Sequence, residues 1–296
     1  MSNISAIIPR VFIIVAMVIA YCPAVGFAEE PPLIILVPND VLADYEEFID
    51  SRDVLSLTEY DGESSRRDVV EVALLQQALH LGGVDQRIRF SEVDSYKRIL
   101  VEMRGGRAVM AATSSWLIDL QEIEGEVYLS NAIIEDGEFE AGLYTLPNNT
   151  TALSAKTRLD VRKLSAVSSK AWKIDWATLR SMNLRRLENT VTWLSMVRMV
   201  NAGRIDFLLA PFQVTDDLSL TVESVRLVPI PGIKIGLKGS RHFAVSKSYP
   251  GANEIFEALN KGLSILEGRG AIKKAYLQSG FFNHKVASWV NISLLE

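Results

Sequence analysis

The sequence contains a single cysteine, Cys22, in 296 residues. One cysteine cannot form an intramolecular disulfide or a thiolate metal site. Because Cys22 lies in an N-terminal segment that we expect to be removed, we expect the mature chain to lack a cysteine nucleophile as well. A chain of this length can bury a core large enough to fold without covalent cross-links.

Motifs typical of enzymes and metal sites are also scarce. The three histidines, His80, His242 and His284, are far apart in sequence and form neither an HxH nor an HExxH pattern, which argues against a zinc site. The sequence has no GxSxG elbow and no Walker loop. The acidic segment 135–140 has carboxylates for acid–base chemistry, but a solvated loop before a strand is the simpler interpretation. We therefore predict a protein that is not an enzyme and has no metal or cofactor.

The charges are mixed and nearly balanced. The chain has 31 Lys and Arg against 36 Asp and Glu, a net charge of −5 at pH 7. A mildly acidic protein of this kind is not expected to bind nucleic acid non-specifically. Only one long apolar run occurs, near the N-terminus, so we predict that the mature protein is not embedded in a membrane.

The N-terminus has the three parts of a secretory signal peptide. Arg10 precedes the apolar run Val11–Ala20, and a small-residue site ends at Ala28. A membrane anchor is the alternative, but a spanning helix needs about 20 apolar residues. A lipoprotein would use Cys22, although the bulky Tyr21 precedes it. We therefore predict cleavage near Ala28 and a periplasmic mature protein.

Strand-like and helical patterns alternate along the rest of the chain. An apolar run at 33–37 and a helical pattern at 68–81 begin the series, and a second series begins at 164–169. Such alternation predicts βαβ units in two α/β lobes, with a break near 147–149. The polar segment 39–66 is predicted to be a long loop with at most one short helix.

Four segments in this order resemble a known family. They are the opening strand LIILVP, the turn and strand GGRAVMAATSS, the second-lobe segment MVRMVNAGRIDFLLAPF, and the C-terminal segment HFAVSKSYPGANEIFEALNKGLSILEGRGAIKKAYLQSG. Together they resemble the periplasmic solute-binding proteins of type II topology, in particular the amino-acid-binding branch of solute-binding protein family 3. The resemblance covers most of residues 32–282.

The resemblance implies a two-lobed α/β fold with an interlobe cleft and two hinge crossings. Lobe 1 would comprise 31–145 plus 245–296, and lobe 2 would comprise 146–244, with crossings near Tyr144 and at 241–243. A small polar solute, amino-acid-like or a small organic anion, would bind in the cleft. Hinge closure would trap the solute for delivery to an ABC-type membrane transporter.

Two ligand-binding residues usual in the family are missing. Amino-acid-binding members place an Arg shortly after the strand equivalent to 109–112, where it grips the ligand carboxylate, but this chain reads TSSWLID at 113–119. An Asp for the ligand amine usually follows the strand equivalent to 207–210, where this chain has Pro211-Phe212-Gln213. Two alternatives therefore stay open: a degenerate module that signals through a membrane sensor protein, and a dehydratase-like enzyme on the same scaffold.

Polar and aromatic residues at strand ends and at the second crossing are the predicted ligand-binding set: Thr113, Ser114, Ser115, Trp116, Ser168, Ser169, Phe212, Gln213 and Arg241. The hydroxyls could bind ligand or cap the following helices, and a helix start after Ser169 could hold an anion. Arg241 is the first choice to replace the missing carboxylate-binding arginine, with a hinge salt bridge as the alternative. Arg66 and Arg67 are a second choice, and Asp175 is predicted to be an N-cap.

Overall fold

Residues 31–293 form two β-sheets, each flanked by helices. The computed structural model describes residues 31–293, so the predicted signal peptide lies outside the described residues. The strands are β1 Leu33–Pro38, β2 Ile88–Val93, β3 Met110–Ala111, β4 Ser115–Trp116, β5 Val127–Ile134, β6 Phe139–Thr145, β7 Ser165–Ser168, β8 Arg186–Asn189, β9 Phe207–Pro211, β10 Leu220–Val222, β11 Val225–Pro229, β12 Ile233–Leu237, β13 Arg241–Ser246 and β14 Val290–Asn291.

The helices are α1 Asn39–Ile49, α2 Arg67–Gly82, α3 Tyr96–Arg104, α4 Leu117–Leu120, α5 Thr150–Leu153, α6 Arg158–Val161, α7 Lys173–Ser181, α8 Trp193–Asn201, α9 Ala252–Gly268 and α10 Ala271–Gln278. Short 3-10 turns occur at Val54–Ser56, Gln121–Ile123 and His284–Val286. Within residues 31–293, no helix has both the length and the apolar character needed to span a bilayer.

The first sheet has the strand order β2-β1-β3-β13-β4, with β5 paired to β13. Strand β1 runs parallel to β2 and β3, and β13 runs antiparallel to its neighbours. Leu33 and Ile35 pack on one face of β1, whereas Leu36 packs on the other. Burial on both faces explains why this strand is a continuous apolar run.

Helices α2 and α9 cross each other in very close contact. A Cβ at Gly262 would lie 1.8 Å from the carbonyl oxygen of Ala78, and a Cβ at Gly82 would lie 2.0 Å from that of Ala258. Only glycine allows two backbones to approach this closely. The crossing therefore fixes the position of α2, whose first turns carry Arg67 and Glu71.

The second sheet has the order β10-β11-β6-β9-β7-β8, with β12 paired to β6 and β14 paired to β12. Strand β7 runs parallel to β8 and β9, and β6 runs antiparallel to β9. The short helix α7 follows β7 at the carboxyl end of these strands, the edge at which open α/β sheets bind ligands.

Sheet membership bears on the limits of the two lobes. Strand β6 pairs within the second sheet and β13 within the first, so the chain passes between the sheets at 135–138 and 238–240. Both passages come earlier than the crossings predicted near Tyr144 and at 241–243. The lobe limits 31–145 plus 245–296 and 146–244 stay a prediction, and the strand pairing favours these earlier limits.

A third passage follows α10, in what we call the tail segment, residues 279–291. Its last strand, β14, pairs with β12 of the second sheet, although the sequence prediction placed 245–296 wholly in lobe 1. The Asn283 side-chain amide donates to the Gln213 carbonyl at 3.0 Å, and the Trp289 ring centroid lies 5.4 Å from that of Phe212. The tail segment thus ties the second sheet to the helices of the first.

The structure locates one locally predicted element and corrects another. The short helix that the prediction allowed within 39–66 is α1, an 11-residue helix over 39–49 that buries Val41, Tyr45 and Phe48 at helical spacing. Helix α7 begins at Lys173 with Trp172 in the N-cap position, so the predicted cap at Asp175 is wrong. The backbone turn starts early because the Trp172 amide already donates to the Ser169 carbonyl, which leaves Asp175 in the first turn.

Candidate functional site

The candidate site lies where the carboxyl end of the first sheet faces α7 and β6 of the second. Strand β4 pairs with β13 so that Trp116 lies opposite Arg241 and Ser115 lies opposite His242. A Cβ at Gly239 would lie 3.5 Å from Trp116 and 3.8 Å from Ile174 of α7. The two lobes therefore meet directly beside Trp116.

Arg241 is the central cation of this site. It is 7% exposed, and its guanidinium donates to the Ser114 hydroxyl at 2.9 Å and also to the Ser114 carbonyl. The guanidinium carbon lies 4.7 Å from the Trp116 ring centroid and 5.7 Å from that of Phe139, within cation–π range. Burial and the nearby positive charge of Arg67 lower the pKa of Arg241, although arginine stays charged in proteins.

A fully buried carboxylate, Glu71, lies behind Arg241. It accepts hydrogen bonds from Arg67, from the amide and hydroxyl of Ser114, and from the Tyr276 hydroxyl. Burial raises the pKa of Tyr276 well above its usual value, and the Glu71 charge raises it further. Tyr276 therefore acts as a neutral donor.

Two charged residues of α7 face this site from the second lobe. The Lys173 ammonium lies 2.8 Å from an Asp119 carboxylate oxygen and 2.7 Å from one of Glu122, both in the first lobe. The Tyr96 hydroxyl donates to the other Asp119 oxygen at 2.9 Å. Burial raises the pKa of Asp175 to about 6, although the positive charges of Arg241 and Arg67 act in the opposite direction.

The predicted residues have three different placements. Arg241 contacts both Ser114 and Trp116, and Thr113 and Ser115 flank Ser114 in sequence. Ser168 ends β7 and Ser169 follows it. The Ser169 hydroxyl accepts a hydrogen bond from the Ala171 amide at 3.2 Å, as expected for a residue that shapes the start of a helix. Phe212 packs on Trp289, and Gln213 accepts from Asn283, so both are tied into the tail segment. Ligand contact by any of the nine stays a prediction.

Several residues of the site were not predicted from the sequence: Glu71, Tyr96, Asp119, Phe139, Lys173, Asp175 and Tyr276. Glu71 alone left a usable signal, since it is the one carboxylate inside the apolar stretch VVEVALL of a helix. A buried carboxylate is costly unless partners compensate it, so its position pointed to a polar partner. Arg67, the second choice among cations, is that partner.

The chemistry of the site is that of polar recognition. Guanidinium, ammonium, carboxylate and phenol groups stand beside the aromatic walls of Trp116 and Phe139. Within residues 31–293, no group of three His, Cys, Asp or Glu side chains is placed to hold a metal ion. A small solute with several polar groups fits such a lining better than an apolar one.

Comparison with known proteins shows a likeness in structure only. No family model matches the sequence, and no curated protein matches it. The VFT2 domain of the BvgS periplasmic region from Bordetella pertussis superposes with a TM-score of 0.55 at 15% identity, covering 83% of this chain and 92% of that domain. Against the longer BvgS periplasmic domain the TM-score is also 0.55, but the chain spans only 43% of it.

A second similar structure is an amino acid ABC transporter substrate-binding protein, AbpA from Streptococcus pneumoniae, bound to L-arginine. Its TM-score is 0.55 at 13% identity, with 85% of this chain and 94% of AbpA covered. Identities this low show the fold alone. The chain has the two-lobed α/β fold of type II periplasmic binding proteins, as its resemblance to solute-binding protein family 3 implied.

Proposed function

We propose that this protein is an exported solute-binding protein that captures a small polar solute between its two lobes. The observation that carries the proposal is the convergence of Arg241 and Trp116 from the first lobe with Lys173 and Asp175 from the second. A solute bound by groups of both lobes stabilises the closed arrangement over the open one, because only the closed arrangement offers all contacts at once.

The proposal includes a periplasmic location, cleavage near Ala28 and delivery of the solute to an ABC-type transporter. The N-terminal pattern of the sequence supports export, and the likeness in fold to AbpA supports the transport role. Arg241 would bind an acceptor group of the solute above the Trp116 ring. Asp175 would bind a donor group from the opposite lobe.

A module that reports to a membrane partner is the second candidate. It is favoured by one observation: the polar groups of the cleft already pair with one another. Lys173 joins the lobes through Asp119 and Glu122, and Glu71 occupies the donors around Ser114. Such a cleft can close without a solute.

Thermal unfolding of the mature protein, beginning at Glu29, separates these candidates. Amino acids, polyamines, small peptides and organic anions form the library, and a ligand at 100 times its Kd adds about 2.7 kcal/mol of stability. The shift given by a true ligand should disappear in Asp175→Ala and persist in Asp216→Ala, a fully exposed position on the second lobe. Unchanged melting curves across the whole library would contradict solute capture and favour the module.

A further inference from the structure

Four hydrogen-bond donors converge on the Glu71 carboxylate. One oxygen accepts from Arg67 at 2.8 Å, the Ser114 hydroxyl at 2.9 Å and the Tyr276 hydroxyl at 3.1 Å. The other oxygen accepts the Ser114 amide at 2.8 Å. Glu71 is 0% exposed, so every one of these contacts is shielded from solvent.

This donor set is a complete carboxylate-binding site. It combines a guanidinium, a backbone amide and two hydroxyls, and a carboxylate has about four acceptor positions to satisfy. The donors come from α2, the link between β3 and β4, and α10, three parts of the chain that meet only in the folded protein. Arg241 completes the arrangement, because it holds Ser114 through both its hydroxyl and its carbonyl.

The positive charges of the site are also compensated by carboxylates of the chain itself. Arg67 and Arg241 are buried cations, and the carboxylates of Glu71 and Asp175 lie near both. A buried cation needs a counter-charge, and here the chain supplies it. Glu71 already occupies the four donors that point at it, whereas the buried Nε of Arg67 has no hydrogen-bond partner within residues 31–293.

We propose that Glu71 is a permanent internal occupant of the carboxylate-binding site of this cleft and thereby sets its specificity. Glu71 excludes solutes that bind through a carboxylate, so the solute is a neutral or cationic polar molecule held by Asp175 and the aromatic walls. The identity of the solute class rests on the proposed function, whereas the internal occupancy of the site does not.

The test is to empty the site by Glu71→Ala and supply formate or acetate. The variant should unfold at a lower temperature than the wild type in chloride, and formate should raise its midpoint by a constant step for each tenfold increase in concentration. The wild type should show no such response at equal ionic strength. Recovery by a small carboxylate is expected because the four donors stay in place around the space left by the side chain.

Two variants serve as controls. Glu71→Gln fills the same volume, so it should be destabilised yet not respond to formate. Glu254→Ala removes an exposed carboxylate of α9 and should behave like the wild type in both salts. If Glu71→Ala does not fold in chloride, its refolding yield is measured instead. The yield in formate is then compared with the yield in chloride at the same ionic strength.

The proposal is overturned if formate gives Glu71→Ala no gain in midpoint or refolding yield over chloride, or if Glu71→Gln responds as strongly. A second set of results would also overturn it. A carboxylate solute would raise the unfolding temperature of the wild type, and this rise would persist in Asp175→Ala but be lost in Glu71→Ala. A solute library without hits, together with formate recovery of Glu71→Ala, would reject the proposed solute capture and leave the internal occupancy standing.

Discussion

At the scale of the residue, Asp175 links the stability of the protein to pH. Its pKa is raised by burial from 3.8 to about 6, despite the positive charges of Arg241 and Arg67. The folded state therefore binds a proton more tightly than the unfolded state does. The stability that this residue contributes is fully present below about pH 4 and declines as the pH rises to about 6.

Asp175→Asn removes this dependence. At pH 7 the variant should be more stable than the wild type by about 1 to 2 kcal/mol, a figure discounted for the partial exposure of the side chain. Near pH 3 the two should be nearly equal, because Asp175 is then mostly protonated in both states. Urea unfolding from pH 3 to pH 8 measures the difference, and Asp216→Asn controls for the loss of a charge. A difference that is independent of pH would contradict the assignment.

Lys173 is the residue that joins the two lobes by charge. Lys173→Met should destabilise the protein by about 1 to 3 kcal/mol, because Asp119, which is only 1% exposed, loses its counter-charge. Lys163→Met is the matched control, since Lys163 is 76% exposed and pairs with Asp160, three residues before it; the change should cost less than about 0.5 kcal/mol of stability. Equal effects in urea unfolding would mean that Lys173 has no special role.

Residues of the site were predictable where chain order decided their position. Ser114 and Trp116 follow a buried strand directly, so a strand pattern was sufficient to find them. Arg241 was found through the family resemblance, although its contact with Ser114 depends on strand register. Asp119 and Lys173 meet only because the lobes face each other, and no local pattern of the sequence contains that information.

At the scale of the element, the crossing of α2 and α9 is the least tolerant contact. Gly262→Ala places a methyl group 1.8 Å from the Ala78 carbonyl oxygen, so the helices must separate. We expect a loss of about 3 kcal/mol or more, as for other overpacked or broken core contacts. Gly268→Ala, in the same helix with no atom near its Cβ, should be neutral or stabilising by up to about 1 kcal/mol. Calorimetry of the two variants provides the test.

Elements with strong periodicity and clear ends were predicted well. Helix α2, predicted over 68–81, differs from that range by one residue at each end. Helix α1 was allowed within 39–66 but its limits were not predicted, because acidic residues surround its three buried positions. Strand β14 is two residues long and exists only through its pairing with β12, which a pattern of side chains cannot reveal.

At the scale of the whole molecule, the tail segment makes the two lobes one unit. Trp289→Ala removes the ring that covers Phe212 and Val286 and should cost about 2 kcal/mol, less than for a fully buried tryptophan. Val290→Ala, at a position 49% exposed, should change stability by less than about 0.5 kcal/mol. Backbone amide hydrogen exchange at 212–218 should become faster in Trp289→Ala but not in Val290→Ala. Unchanged exchange in Trp289→Ala would contradict the role of the tail segment in joining the lobes.

The doubled α/β architecture was visible in the sequence because each lobe repeats its own alternation of strands and helices. The limits of the lobes were less visible. Strands β6 and β13 are largely buried on both faces, so burial alone does not reveal which sheet each of them joins. Pairing with β9 and β3, respectively, decides the sheet to which each belongs.

Because of the position of β14, the distance between the two ends of the described chain depends on the distance between the lobes. Strand β1 belongs to the first sheet and β14 to the second, so dyes attached at residues 32 and 293 would report the separation of the lobes directly. A pull on the C-terminal end would act first on the two residue pairs that join β14 to β12. The tail segment should therefore detach at forces that leave both sheets intact.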